Sequence, residues 1–178
     1  MKKIIILLLA VSTFSCATMK ISYDYDRDSD FSKYKTFTLS EESYKLPIQQ
    51  LNLDRLIKSV ETEMNAKGFT KSDNADIIVD ITVTGQQVQT ATATTTGNYG
   101  YGYRRWGYGG GFSTTYVNYD QYTEGTLILS FVDTSTNKIV WQGTGTKTLL
   151  ENVSPEKREQ NINYAVQQVL KNYPPAKK

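Results

Sequence analysis

The chain has 178 residues, 39% hydrophobic and 21% charged, with twenty basic residues against eighteen acidic ones, one cysteine and no histidine. The lack of histidine removes the commonest general base and metal ligand, and the near-even charge gives no global support for binding a polyanion such as nucleic acid. Neither a G-x-S-x-G elbow nor a G-x-x-x-x-G-K-[ST] phosphate loop occurs, so no catalytic residue, cofactor or metal site is assigned and the chain is read as a non-enzyme.

Lys2 and Lys3 precede an apolar run from Ile4 to Val11, followed by Ser12, Thr13, Phe14, Ser15 and Cys16. A positive start, an apolar core and small residues near a processing point make a secretory signal, and the run is well short of the ~20 apolar residues that span a bilayer. An unpaired thiol in an oxidising compartment needs a use. Lying directly after the processing point, Cys16 resembles the modified cysteine of a bacterial lipobox, with Ser15 as the small residue before it and Thr13 where leucine is usual. Residues 1–15 are therefore expected to be a lipoprotein signal cleaved before Cys16, and residues 16–178 a single domain tied to a membrane by lipid on Cys16. Cleavage removes Lys2 and Lys3, leaving eighteen basic residues against eighteen acidic ones. Ala17 is not the aspartate that resembles an inner-membrane retention signal, and Ala17-Thr18-Met19-Lys20 lacks the acidic run of a surface-export signal. The expected address is the outer membrane, facing the periplasm.

Residues 19–25 and 33–39 read as short strands, with Tyr23 and Tyr25 on one face of the first. Between them Asp24, Asp26, Asp28 and Asp30 alternate, but neither register meets the glycine and glutamate positions of an EF-hand loop, so they are read as turn-forming and solvated. Residues 52–67 form an amphipathic helix with Leu53, Leu56, Ile57, Val60 and Met64 on one face, Asn52 as its cap and Gly68 at its end. Ile77, Val79, Ile81 and Val83 alternate with Ile78, Asp80, Thr82 and Thr84, the pattern of a strand with one face in a core. A threonine-rich stretch, 90–96, extends it without an apolar face. Residues 126–132 and 138–144 predict a hairpin around the turn-rich Asp133 to Asn137, with Leu127, Leu129 and Phe131 on one face and Ile139 and Trp141 together on its partner. Ser154 as cap, Pro155 and Glu156 open a last helix with a stripe of Ile162, Ala165, Val166, Val169 and Leu170, closed by Pro174 and Pro175. Two one-striped helices among strands predict an α+β domain: an antiparallel sheet with both amphipathic helices packed on one face.

The segment most suited to binding is the Gly/Tyr-rich loop at 97–112. Tyr99, Tyr101, Tyr103, Trp106 and Tyr108 offer flat amphipathic faces, glycines allow close backbone approach, and Arg104 and Arg105 can pair or stack. Such chemistry suits a glycan or an envelope protein. Arginine–glycine–aromatic tracts also bind single-stranded nucleic acid, a partner that the exported address sets aside. Trp141, Tyr116, Tyr119 and Tyr122 read as structural aromatics, and Asn152-Val153-Ser154 as a chance glycosylation match.

Three blocks resemble the domain of unknown function 4136 family of bacterial lipoproteins: Asp24-Tyr25-Asp26 with Asp30-Phe31-Ser32-Lys33-Tyr34-Lys35-Thr36-Phe37, then Asn137 through Gly143, then the last helix through Tyr173-Pro174-Pro175. The resemblance implies export, lipidation and an α+β domain, and supplies no activity and no catalytic residues. The expectation is a lipid-anchored envelope protein that acts as a binding or scaffold module for an envelope protein or glycan. Two alternatives stay open: a hydrolase or transferase of envelope polymers using carboxylate or serine chemistry, and a structural lipoprotein without a dedicated ligand.

Overall fold

The computed structural model describes residues 19–97, 113–149 and 152–175. Six strands form one sheet in the order β1-β6-β5-β4-β2-β3: β1 (Lys20–Tyr25), β2 (Thr36–Leu39), β3 (Thr70–Lys71), β4 (Ile77–Gly97), β5 (Ser113–Asp133) and β6 (Lys138–Thr148). Helix α1 (Gln50–Ala66) lies between β2 and β3, and α2 (Pro155–Leu170) closes the chain. The fold class is α+β, as expected, but the sheet is mixed. Strands β1, β6, β5 and β4 run antiparallel, whereas β2 is parallel to both β4 and β3. The cause is α1: a helix between β2 and β4 carries the chain back along the sheet, so the next strand enters in the same direction.

The apolar periodicities set the layers. Val79, Phe131, Trp141 and Tyr25 are register partners across β4, β5, β6 and β1, as are Val83, Leu127 and Gly145 one end further on. The same face carries Ile81 and Leu129 and joins Leu56, Val60 and Met64 of α1 and Val166, Val169 and Leu170 of α2 in one hydrophobic cluster. The two helices contact each other as well as this face. Glycines let α2 lie close: a Cβ on Gly143 would clash with Trp141 Cη2 and lie 2.8 Å from Val169 Cγ1, and one on Gly145 would meet Met19 Cε and lie 2.7 Å from Val169 Cγ2.

Details correct the expected element ends. Helix α1 begins at Gln50 behind Gln49, and Asn52 accepts a hydrogen bond from Arg55 Nη1 at 3.1 Å instead of capping. Gly68 does end the helix region, at φ +87°, the left-handed conformation that glycine adopts without strain. Ser154 caps α2, accepting from Lys157 N–H at 3.3 Å. In β6 a bulge shifts the register between Val132↔Ile139 and Phe131↔Trp141, so Val140 is the extra residue and Ile139 is exposed while Trp141 is buried. Ile139 and Trp141 therefore do not share a face, because the extra residue reverses the alternation.

The threonine-rich stretch is full strand. β4 and β5 stay paired from Ile77↔Asp133 to Gly97↔Ser113, while β6 accompanies β5 only as far as Glu124↔Thr148. Residues 86–97 and 113–123 thus leave the sheet as a two-stranded ribbon, roughly 35–40 Å long at ~3.4 Å per residue.

Candidate functional site

Two places combine exposed binding chemistry with a positioned scaffold. The first is an aromatic cleft at the end of the sheet away from the ribbon, where the three sequence blocks named above meet. Phe31 makes edge contacts with Tyr25, Tyr34 and Tyr173 at centroid distances of 6.0, 6.0 and 6.1 Å. Tyr173, just past α2, inserts among Phe131 at 4.2 Å, Trp141 at 5.1 Å and Phe69 at 5.6 Å. Tyr25, Phe31, Phe69 and Pro174 wall a cleft of about 520 Å³ whose charged lining is Arg27, Lys35 and Lys67 with Asp30. Burial pushes the Lys67 ammonium below its ordinary value, partly offset by Glu63. Flat apolar walls beside several cations suit stacking on a ring or pairing with an anion.

Asp133 clamps this end. Its carboxylate is almost fully buried and accepts from Lys33 Nζ at 2.7 Å, Tyr34 Oη at 2.8 Å, Ser135 N–H at 2.8 Å, Ser135 Oγ at 2.5 Å and Thr136 N–H at 3.2 Å. Burial works against its charge, but the Lys33, Ser135 and Tyr34 donors outweigh it and hold the carboxyl far below the usual carboxylate range. Asp76 is lowered by the backbone N–H groups of Lys35 and Thr36, at 2.8 and 2.9 Å. The Tyr173 hydroxyl and Trp141 Nε1 are buried without a hydrogen-bond partner among the described residues, and burial pushes the tyrosine hydroxyl well up, so it stays protonated.

The aspartates between β1 and β2 have local roles. Asp26 accepts from Asp28 N–H at 3.0 Å and Ser29 Oγ at 2.9 Å, and Asp30 from Ser32 N–H at 3.0 Å and Ser32 Oγ at 2.7 Å. No group of three or more potential metal ligands occurs among the described residues. A Ser-x-x-Lys spacing occurs at Ser32-Lys35, Ser135-Lys138 and Ser154-Lys157. Each serine is engaged structurally: Ser32 with Asp30, Ser135 with Asp133, Ser154 as the α2 cap.

The second place is the ribbon. Its described side chains are mostly exposed glutamine and threonine, with Thr95 and Thr115 hydroxyls 3.3 Å apart across the strands. It frames the aromatic loop, but Tyr99, Tyr101, Tyr103, Arg104, Arg105, Trp106 and Tyr108 lie outside the described residues, as does Cys16. Sequence reasoning missed the cleft and its clamp. One signal was present: Asp133 has the same parity as inward-facing Leu127, Leu129 and Phe131, so the strand period placed a carboxylate inside.

No curated protein matches the chain. A PDZ domain protein from Parabacteroides distasonis ATCC 8503 is similar in structure, with a TM-score of 0.55 and 14% identity over 90% of this chain; the chain spans 37% of that protein. Two crystal forms of a PelC dodecamer from Paraburkholderia phytofirmans, each 12% identical, align over 86% of this chain and 95% of theirs with TM-scores of 0.48 and 0.46. At such identity the first likeness concerns the fold alone. Residues 21–175 match the family described as "Domain of unknown function (DUF4136)", and with the three sequence blocks gathered around one aromatic cleft, the chain belongs to that family.

Proposed function

We propose that this protein is a lipid-anchored cell-envelope module, held on the outer membrane through Cys16 and facing the periplasm, that binds a membrane-proximal protein or glycan without catalysing a reaction. The observation that carries this reading is the ribbon. A two-stranded arm that runs on beyond the rest of the sheet is marginal in water, yet its strands are joined by residues 98–112, which carry six aromatic residues and two arginines. Presentation of a recognition surface gives such an arm a purpose.

The non-catalytic part of the reading is supported by the carboxylates. Asp133 and Asp76, held ionised by their partners, are spent on a lysine, hydroxyls and backbone N–H groups. A polymer hydrolase needs two carboxylates across an open cleft, and the aromatic cleft is lined by Asp30 as its acidic residue.

The test is photocrosslinking in intact cells from p-benzoylphenylalanine at Tyr101 or Trp106, compared with a chain in which 98–112 is replaced by Asn-Gly. A defined adduct from both positions is expected, with no adduct from a control probe at Asn137 and unchanged thermal stability of the short-loop chain. Absence of any adduct at the loop would sink the contact role. Anchoring is read separately: Cys16→Ser should block incorporation of labelled palmitate and release the chain from the membrane fraction.

A further inference from the structure

A second cavity, of about 480 Å³, lies on the helix face at the base of the ribbon. Its apolar walls include Met19, Ile48, Leu56, Val83, Leu127 and Ile162. Gly85 leaves the sheet bare there, whereas the Leu149 side chain covers its ladder partner Gly125, and Gly145 lines the cavity from β6. The only charged lining residues among those described are Lys147 and Arg158, and no carboxylate joins them. Both are half-buried, and neither is in an ion pair among the described residues. Lys147 Nζ lies 5.4 Å from the centre of the Tyr164 ring, on the same helix that lines the groove through Ile162 and Ala165.

We propose that this groove binds a long-chain fatty acid, with the acyl chain along the apolar walls and the carboxylate between Lys147 and Arg158. The volume falls in the range of sites that enclose a small ligand. Two cations beside an apolar groove whose described lining holds no carboxylate are complementary to an anion, and a single-chain amphiphile with an anionic head supplies that charge and covers the exposed walls together. A peptide fits less well, because its backbone N–H and C=O groups need partners that apolar walls do not offer. Met19 is three residues from Cys16, so the chain's own acyl group is the rival occupant, but a thioether-linked lipid brings no anion to the two cations.

The experiment titrates the full chain carrying Cys16→Ser with cis-parinaric acid, whose fluorescence rises in an apolar site. Saturable binding is expected, displaced by laurate about tenfold more effectively than by dodecanol, as a charged hydrogen bond predicts. Lys147→Gln with Arg158→Gln should weaken parinarate binding by about tenfold. Gly85→Leu should abolish it with unchanged thermal stability, since no atom lies within 4 Å of a Cβ placed there. Lack of saturable binding, equal displacement by laurate and dodecanol, or binding unaffected by Gly85→Leu each overturns the proposal. Binding by the Cys16→Ser chain that vanishes in the acylated chain also overturns it, in favour of the protein's own lipid. None of these readouts depends on the loop, so failure here is distinguishable from failure of the ribbon's contact role.

Discussion

A carboxylate as deeply buried as Asp133 is tolerable only if its charge is answered at close range. Lys33 and Tyr34 answer it from the segment before β2, so one side chain ties the β5–β6 turn to the start of the domain. Asp133→Asn leaves the Tyr34 hydroxyl without its strong acceptor and should cost about 2–4 kcal/mol in urea unfolding. The acid dependence follows from the same bonds. Asp133 and Asp76 both have folded-state pKa values below their unfolded ones, so the folded state binds fewer protons. Their stabilisation is complete above the unfolded value, near pH ~4, and is lost as pH falls below it. The urea midpoint should drop from about pH 4 downward, and less steeply in Asp133→Asn. Glycines give a second contrast at this scale. Gly143→Ala forces a Cβ against the fixed Trp141 ring and Val169 and should destabilise by about 1–3 kcal/mol. Gly85→Ala meets no atom within 4 Å and should be neutral or stabilise by up to ~1 kcal/mol. Equal melting temperatures for the two variants would show that α2 can shift away from β6.

Among the elements, β4 and β5 change character partway along. Residues 77–83 have a neighbour on each side for part of their length and a helix-covered face, whereas 86–97 have only the opposing arm. Local opening there needs no disruption of the core. Amides of 86–97 and 113–123 should exchange roughly a hundredfold or more faster than those of Val79, Ile81, Leu129 and Phe131; equal protection would mean that a further strand or partner covers the ribbon edges. This division also shows what the sequence discloses. Apolar alternation identified 77–83 and the α1 and α2 stripes because burial on one face leaves a period. The described side chains of 86–97 are mostly exposed, so no apolar period marks that strand, and only threonine's β preference hints at it. The parallel placement of β2 depends on where α1 returns the chain, and the Val140 bulge on which residue the ladder skips. Neither is encoded in local periodicity. The aromatic cleft was invisible for a related reason: Tyr25, Phe31, Phe69 and Pro174 come from four separate segments, and only the Asp133 parity pointed inward.

The whole molecule has two unlike ends. Asp133, Tyr34 and Tyr173 close one, and the ribbon extends from the other. The start of β1 belongs to the ribbon end, because Lys20 pairs with Thr146, Thr146 with Thr126 and Thr126 with Thr84 in one row across the sheet. Cys16 lies three residues before Met19, a reach of about 10 Å. If Cys16 carries the lipid, the bilayer lies near the ribbon's base and the ribbon works within roughly 40 Å of the membrane surface. The aromatic cleft then faces away from it. In liposomes bearing the acylated chain, a fluorophore on a cysteine at Thr94 should be quenched by spin-labelled lipid headgroups, while one at Asn137, in the turn at the opposite end, should not. Quenching confined to Asn137 would invert the molecule on the membrane, and would require the residues between Cys16 and β1 to run back along the whole sheet, a distance that three residues cannot cover.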